Sequence, residues 1–161
     1  MGVVTRTVLF VCHANTARSV MAHVMLERML AERAPDVRVR SAGVAPYARD
    51  GMIPSLDARL VLREAGIHLA EDAITSTDLR QHRELLAEAA VILTMTEQQK
   101  TMVRALDGTF NRPIFTLREF AGESGDIGDP ATLGDDVFRA CRDEIARCLE
   151  KSLDRLLVML P

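Results

Sequence analysis

The stretch that decides the fold is TVLFVCHANTARSVMAHVMLERMLAERA, residues 7–34, near the start of the sequence. Its first six residues, 7–12, form a β-branched and apolar run, which is typical of a buried strand. Residues 18–34 then place apolar side chains at helical spacing. The stretch therefore predicts a strand that passes into a helix across a loop at 13–17.

Strand-like and helix-like segments continue to alternate along the chain. Further strands are predicted at 37–43, 90–95 and 112–117, and further helices within 53–66, 75–89, 97–106 and 135–158. Thr77 or Ser76 is the expected N-cap of the helix within 75–89. Such alternation favours a parallel sheet with helices on both faces, which binds ligands at the carboxyl ends of its strands. The loop after the first strand lies at that edge.

Length and composition narrow the class of protein. The 161 residues suit a single domain spanning 1–161. The 20 basic and 23 acidic residues nearly balance, so charge gives no reason to expect a nucleic-acid or membrane partner. No stretch approaches the roughly 18 apolar residues that a membrane helix needs. The three cysteines are too few and too unevenly spaced for a disulfide framework or a zinc site, so we expect a cytoplasmic protein.

The loop between the first strand and the first helix has the features of a phosphate-binding loop. Its backbone N–H groups converge at a helix N-terminus, where the helix dipole adds roughly half a positive charge. This field and the guanidinium of Arg18 are expected to stabilise the thiolate of Cys12 as a nucleophile. Arg18 can also hold two phosphoryl oxygens at once. Asn15 suits a left-handed backbone position, and Ser19 can hydrogen-bond the loop or the thiolate.

The spacing between cysteine and arginine is by itself a weak signal in a chain so rich in arginine. Cys141 and Arg147 repeat the same separation inside the last predicted helix, where backbone amides are already hydrogen-bonded. We therefore interpret that pair as coincidental and Cys148 as a small core residue. The alternative for Cys12 itself is a buried cysteine with no chemical role.

The side chains of the histidines and the polar run EQQK are not expected to take part in the chemistry. The side chain of His13 is expected to point outward at the rim of the loop, while its amide faces the phosphate. His23, His68 and His82 are expected on the surface or on a helix face. EQQK, residues 97–100, is expected to be a solvated surface.

A second loop supplies the acid that phosphate chemistry needs. GDIGDPATLG, residues 125–134, follows the last strand, so Asp126 and Asp129 are expected at the same sheet edge as Cys12. A carboxylic acid can protonate the leaving group, and the carboxylate that remains can activate water. Pro130 restricts Asp129 to extended conformations, which favours Asp129, whereas Asp126 is more typical of a turn. The alternative is that Asp129 also serves only the turn.

These segments together resemble the low-molecular-weight protein phosphatase family. VCHANTARS, residues 11–19, resembles its signature loop, Cys-x-Gly-Asn-x-Cys-Arg-Ser, and Asp129-Pro130 matches its acid loop. SAGV at 41–44, AVILTMTEQQK at 90–100 and FTLREFAGESGDIGDP at 115–130 look like one bacterial branch, the protein-arginine phosphatases. The family implies a flavodoxin-like, three-layer α/β/α fold with a four-stranded parallel sheet in the order 2-1-3-4. It also implies no metal or other cofactor and a two-step mechanism through phosphocysteine.

The resemblance assigns roles to single residues. It implies Cys12 as the nucleophile, Arg18 as the phosphate clamp and Asp129 as acid and then base. It also implies a hydrogen bond between Ser41 and Asn15. The implied phosphate-binding residues are His13, Ala14, Asn15, Thr16, Ala17, Arg18 and Ser19, and the implied loop supports are Asn15, Ser19 and Ser41.

The chain departs from the family pattern at several positions. Ala14 replaces a glycine, Ala17 replaces a second cysteine, and Val20 replaces a proline at the helix start. Ala131 replaces the aromatic residue after Asp-Pro, and a histidine that supports Asn15 in the family is missing. The loop must therefore reach its conformation without a glycine at position 14.

The residues expected to select the substrate are Thr16, Pro130 and Ala131. Thr16 matches the arginine phosphatase branch, where its hydroxyl can bond a guanidino group, whereas family tyrosine phosphatases usually place an aliphatic residue there. Ala131 leaves little surface for an aromatic ring. We therefore expect phosphoarginine in proteins as the substrate and inorganic phosphate as the product, with phosphotyrosine as the alternative.

Three other functions are compatible with parts of the pattern. An arsenate reductase of this fold needs relay cysteines in mid-chain, and none lies between Cys12 and Cys141, so it would depend on an external thiol. A phosphocysteine carrier module would have no use for Arg18 and Asp129 as a hydrolytic pair. A non-catalytic scaffold would require these residues to coincide by chance.

Overall fold

One parallel sheet organises the molecule, and a computed structural model describes residues 6–106 and 111–160 of it. The four strands lie in the order 2-1-3-4, all parallel, which confirms the expected order. The strands are β1 (Thr7–Cys12), β2 (Arg38–Gly43), β3 (Val91–Thr94) and β4 (Ile114–Thr116). Strand β1 lies inside the sheet between β2 and β3, and all six of its residues are buried.

Six helices connect or flank these strands. They are α1 (Arg18–Leu30), α2 (Leu56–Glu64), α3 (Glu84–Glu88), α4 (Glu97–Leu106), α5 (Leu117–Phe120) and α6 (Asp135–Met159), and a 3₁₀ turn occupies Leu79–Gln81. Within the described residues, no helix combines the length and the apolar character that crossing a bilayer requires.

The alternation of side chains along β1 divides the core between the two faces of the sheet. Phe10 joins the larger core, which includes Ile145 of α6, whereas Leu9 joins a smaller core with Leu86 of α3 and Val103 of α4. Helices therefore cover both faces, as expected for a three-layer α/β/α fold. Cys12 follows the same alternation as Phe10, so the thiol faces the layer that contains α1 and α6.

The segment predicted as one helix within 75–89 is instead a turn followed by the short helix α3. The N-cap of the turn is Asp78, whose carboxylate accepts from the amide of Arg80 at 3.0 Å. Thr77 does not cap a helix but bonds to strand β2, because its carbonyl accepts from the amide of Gly43 at 2.8 Å. The side chain of Ser76 accepts from the amide of Met52 at 2.9 Å. A longer helix would break these lateral bonds.

Helix α5 is absent from the sequence prediction, although its start carries a recognisable signal. Thr116 accepts a hydrogen bond from the Glu119 amide at 3.0 Å, and the Glu119 carboxylate accepts in return from the Thr116 amide at 3.3 Å. This reciprocal capping box ends strand β4 and starts the helix at once. It also turns the chain toward the loop that holds Asp129.

Strand β2 fixes the loop that follows β1 by close backbone contact. Gly43 lies opposite Cys12 in the sheet, and the next two amides, of Val44 and Ala45, donate to the carbonyls of Cys12 and His13 at 3.0 Å each. A Cβ on Gly43 would stand 2.7 Å from the carbonyl oxygen of His13. Only glycine allows this approach.

We expect Gly43→Ala to destabilise both the fold and the loop. The added methyl group meets backbone that cannot move without shifting the loop, so the free energy of unfolding should fall by about 1–3 kcal/mol. Urea unfolding followed by circular dichroism measures this loss. The matched control is Gly128→Ala, whose added Cβ meets no atom within 4 Å; equal unfolding midpoints for the two variants would contradict the account.

Candidate active site

The loop after β1 lies at the carboxyl edge of the sheet and leads directly into α1. Ala17 is the N-cap of α1, and its methyl side chain cannot accept a hydrogen bond from the first amides of the helix. Among the described residues, the first turn of α1 carries no acidic side chain. The amides and the dipole at this helix start are therefore available to an anion.

The thiol of Cys12 is buried and surrounded by hydrogen-bond partners. Its Sγ lies 2.9 Å from Oγ of Ser19 and accepts from the amide of Asn15 at 3.3 Å. The side-chain amide of Asn15 donates to Oγ of Ser19 at 2.8 Å, which leaves the hydroxyl proton of Ser19 free to point at the sulfur. Both contacts stabilise a thiolate at this position.

Asn15 has the left-handed conformation expected of it, with φ of 61°. Its side chain is buried and bridges two parts of the chain, because its oxygen accepts from the amide of Thr77 at 2.9 Å while its nitrogen donates to Ser19. Ala14 has no positive φ, so the glycine that the family pattern places there is not needed in this loop.

The hydrogen bond implied between Ser41 and Asn15 is wrong. The Oγ of Ser41 lies 2.8 Å from Nδ1 of His23, and Asn15 takes a backbone amide, that of Thr77, as its partner. His23 is correspondingly buried, at 8% exposure, so of its two expected positions it takes the helix face, on α1, and not the surface. The serine of SAG therefore ties β2 to α1 and supports the loop only through that helix.

Arg18 joins the phosphate loop to the acid loop. The side chain is 5% exposed, and its Nη1 donates to the carbonyl of Ile127 at 2.8 Å. The amide of Ile127 in turn donates to the carbonyl of Met95, the residue directly after β3, at 2.9 Å. These two bonds hold the segment before Asp129 against the sheet edge, and the remaining N–H groups of Arg18 are left for a ligand.

A cavity of about 320 Å³ opens where the two loops meet. Cys12, Arg18 and Asp129 all line it. The other predicted site residues in its wall are His13, Ala14, Thr16, Ala17 and Ala131. The side chains of Asn15 and Ser19 are buried behind the loop rather than in this wall. The three groups that the sequence proposed for phosphate chemistry thus share one cavity.

Comparison with known proteins agrees with this geometry. Residues 7–158 match the family model described as low molecular weight phosphotyrosine protein phosphatase. The chain belongs to this family. A protein-arginine-phosphatase of Geobacillus stearothermophilus is 37% identical over 92% of this chain and 95% of its own length. One from Bacillus subtilis is 29% identical over the same shares.

A solved structure also resembles this family member. It is a Cys-to-Ser mutant of the YwlE arginine phosphatase with a phosphorylated active-site serine, and it superposes with a TM-score of 0.85. The match has 31% sequence identity and covers 94% of this chain and 95% of that one. The family and these relatives make the protein a phosphatase.

Asp129 has both features considered for it in the sequence. Its carboxylate accepts from the amide of Ala131 at 3.0 Å, as a turn residue does, and the side chain also lines the cavity and is exposed. Pro130 is buried and does not belong to the cavity wall, so it acts on the site only through the backbone of Asp129. Asp126 caps α4 instead, because its carboxylate accepts from the amide of Glu97 at 2.9 Å.

The phosphatase cavity contains residues that sequence reasoning missed. They are Tyr47, Ser55, Asp57, Thr132 and Phe138. The sequence predicts a helix within 53–66, but the place where this helix meets the site depends on the tertiary fold. The amide of Ser55 donates to the carbonyl of Thr16 at 2.9 Å, and this bond brings the start of α2 to the phosphate loop.

His13 lies in the cavity wall and contacts Gln99. The oxygen of the Gln99 side chain accepts from the amides of Met95 and Thr96, so its nitrogen donates to Nδ1 of His13. The imidazole is therefore neutral, which agrees with burial and the nearby charge of Arg18 lowering the pKa of His13. Gln99 and Lys100 are buried, so the expectation of a solvated surface is wrong for these two residues, whereas Glu97 and Gln98 are exposed as expected.

The second pair with the same spacing is not a site of this kind. Burial raises the pKa of Cys141 to about 12, and its Sγ points at the carbonyl of Gly128, 3.9 Å away. Arg147 pairs with Glu123 at 2.8 Å on the surface. Cys141 and Arg147 thus face different surroundings on α6, and the pair is coincidental as expected.

We expect substitution of Asn15 to separate its backbone role from its bridging role. Asn15→Ala and Asn15→Gly both remove the bonds to Ser19 and Thr77, so both should lower kcat/KM for an aryl phosphate at least tenfold. Glycine accepts the positive φ without strain, so the alanine variant should also be less stable by about 1 kcal/mol. Steady-state kinetics and urea unfolding measure the two effects. Full activity of Asn15→Gly would show that the bridge has no role in catalysis.

Proposed function

We propose that the whole chain, residues 1–161, is one catalytic domain that hydrolyses phosphoarginine in proteins through a phosphocysteine intermediate. The observation that carries the proposal is the meeting of Cys12, Arg18 and Asp129 in a single cavity at the start of α1. The relatives named protein-arginine-phosphatase support it. The three cysteines are free thiols, which suits the reducing cytoplasm that we propose as its location.

The first chemical step transfers the phosphoryl group to Cys12. Amides of residues 13–19 and the guanidinium of Arg18 hold the phosphoryl oxygens, and the thiolate attacks phosphorus. The new S–P bond forms while the P–N bond to the arginine side chain breaks. Asp129 in its acid form gives a proton to the departing nitrogen, so arginine leaves with its guanidinium charge restored.

The second step returns the enzyme to its starting state. Asp129, now a carboxylate, takes a proton from water as the water oxygen attacks the phosphorus of phosphocysteine. The S–P bond breaks, its electron pair returns to the sulfur of Cys12, and inorganic phosphate leaves. Ser19 and the Asn15 amide stabilise the thiolate that leaves here, so the same bonds assist both steps.

The preference for phosphoarginine is supported by the distribution of charge in the cavity. Arg18 lies beside the thiol, whereas the carboxylates of Asp129 and Asp57 also line the wall. In residues 6–106 and 111–160, the side chain of Asp57 has no hydrogen-bond or ion-pair partner. A phosphorylated guanidino group joins an anion to a cationic unit and complements this arrangement. Thr16 adds a hydroxyl to the same wall.

Phosphotyrosine is the second candidate substrate, and one observation favours it. The ring of Tyr47 lines the cavity with its centroid 6.5 Å from that of His13, and it offers an aromatic surface to a phenyl group. Ala131 in the same cavity wall does not add to this surface, because it stands where the family usually has an aromatic residue.

The roles of Cys12 as nucleophile and Arg18 as phosphate clamp can be tested by substitution, with Arg147 as the control. We expect Cys12→Ser to abolish turnover while still binding phosphate, and Arg18→Ala to lose both, because Arg18 supplies the main charge for the anion. Phosphate binding is measured by calorimetry and turnover by phosphate release. Arg147→Ala, which removes the arginine of the coincidental pair, should keep wild-type turnover. Normal hydrolysis by Cys12→Ser would refute the mechanism.

The role of Asp129 as the general acid can be tested with a series of substrates that differ in the pKa of the leaving group. Asp129→Asn cannot donate a proton, so kcat/KM should fall most for poor leaving groups and least for activated aryl phosphates. The slope of log kcat/KM against leaving-group pKa is the measurement. Asp126→Asn, which keeps an oxygen to cap α4, should retain the wild-type slope. The same loss for every leaving group in Asp129→Asn would argue against its role as the acid.

Substrate preference can be tested at two walls of the cavity. Thr16→Ile replaces a hydroxyl with apolar surface, and Asp57→Asn removes a charge that favours a cationic group. Each should lower the ratio of kcat/KM for a phosphoarginine peptide to that for an aryl phosphate by about fivefold to tenfold. Asp135→Asn, which removes a first-turn acid of α6 outside the cavity wall, is the control. An unchanged ratio in both variants would leave the preference without its structural basis.

A further inference from the structure

The large apolar side chains that remain exposed are concentrated around the cavity. The described residues expose eight of them, and five lie in the cavity wall or within two positions of a wall residue. We define these five as the apolar rim: Tyr47, Ile53, Leu56, Leu133 and Val137, which are 40–61% exposed. Single exposed apolar residues are ordinary on a protein surface, but a group of them around one opening indicates an interaction surface.

The apolar rim comes from two segments of the chain, residues 47–56 and 133–137, and both adjoin residues of the cavity wall. Leu56 stands between the wall residues Ser55 and Asp57 at the start of α2. Leu133 follows the wall residue Thr132 in the acid loop, and Val137 precedes another wall residue at the start of α6. A substrate that enters the cavity therefore passes apolar groups from both segments.

The two segments of the apolar rim are linked by contacts between α2 and α6. Arg139 pairs with Glu64 at 2.7 Å, and Arg142 donates to the carbonyl of Val61 at 2.7 Å. Because these bonds form within the protein, the apolar rim is arranged before a partner arrives. Little ordering entropy is then lost when a partner binds.

The size of the cavity indicates what the apolar rim contacts. A volume of about 320 Å³ lies at the lower end of ligand pockets and suits one side chain with its phosphoryl group. The rest of a protein substrate must lie outside, where the apolar rim adjoins the cavity wall. A second copy of this chain bound there would instead cover the opening and exclude the substrate.

We infer that the apolar rim is a docking surface for the substrate protein, and that it selects phosphorylated residues flanked by apolar side chains. The inference rests on the proposed function, since it takes the cavity as the site that receives the phosphorylated residue. The flanking residues bury apolar area against Ile53 and Leu56 of one segment and Leu133 and Val137 of the other. Selection thus acts on the sequence around the phosphorylated residue as well as on the residue itself.

Binding to the inactive Cys12→Ser protein tests this inference without turnover. Two fluorescent peptides of equal length carry the same phosphorylated residue, flanked either by leucine or by serine, and each is made in a phosphoarginine and a phosphotyrosine version. Fluorescence anisotropy gives the dissociation constants. We expect the leucine-flanked peptide to bind about tenfold more tightly than its serine-flanked counterpart.

Variants at the apolar rim identify the surface that is responsible. Adding Ile53→Ser and Leu133→Ser to Cys12→Ser should reduce the preference for leucine to less than about twofold. Adding Val158→Ser, which changes an 86% exposed apolar residue on the last turns of α6, should leave the preference intact. Equal affinities before any rim substitution, or a preference that survives the double substitution, would overturn the inference.

Two further outcomes separate this inference from the proposed function. If the protein dimerises with rising concentration, the rim substitutions abolish the dimer, and no peptide preference exists, the occupant is a second copy and the inference is wrong. In one outcome, the leucine-flanked peptide is preferred only in the phosphotyrosine version. In another, binding shows the preference but the active protein hydrolyses no peptide. In either case the docking surface is supported and the proposed function is wrong.

Discussion

The structure of the site depends on the hydrogen bonds made by one buried amide, that of Asn15. Its oxygen accepts from the backbone of Thr77, and its nitrogen donates to Ser19, whose hydroxyl lies 2.9 Å from the sulfur of Cys12. The backbone at Asn15 is left-handed, a conformation that needs such bonds to hold it. The same residue therefore shapes the loop, turns its amides toward an anion and orients the hydroxyl that stabilises the thiolate.

A second constraint brings the acid to the nucleophile. Arg18 is buried between the two loops, and its bond to the carbonyl of Ile127 places the backbone just before Asp129 against the sheet edge. The guanidinium thus holds the two loops together and also lines the cavity. This arrangement explains how an exposed aspartate on an irregular loop keeps a defined position, since the segment before it is fixed at Ile127 and the residue after it is a proline.

Local sequence determined those features of the site that could be predicted. The apolar run of β1, the start of α1, and the roles suggested for Cys12, Arg18 and Asp129 all follow from short segments and simple chemistry. The missed features depend on the tertiary fold. The partner of Asn15 is a backbone amide, which has no signature in the sequence, and the break of the helix expected within 75–89 comes from lateral bonds of Ser76 and Thr77. Asp57 reaches the cavity because α2 starts beside the loop, and Tyr47 reaches it because the chain after β2 is bonded to the carbonyls of Cys12 and His13.

The central claim is that the phosphoryl group passes through the sulfur of Cys12, and trapping that intermediate tests it most directly. An aryl phosphate with a good leaving group forms the intermediate without an acid, whereas Asp129→Asn slows its hydrolysis. Acid quenching of Asp129→Asn within the first turnover, followed by mass spectrometry of the digested protein, should find about one phosphoryl group per chain on the peptide that contains Cys12. Turnover with no phosphorylated protein, or a phosphoryl group on any other residue, would contradict the account.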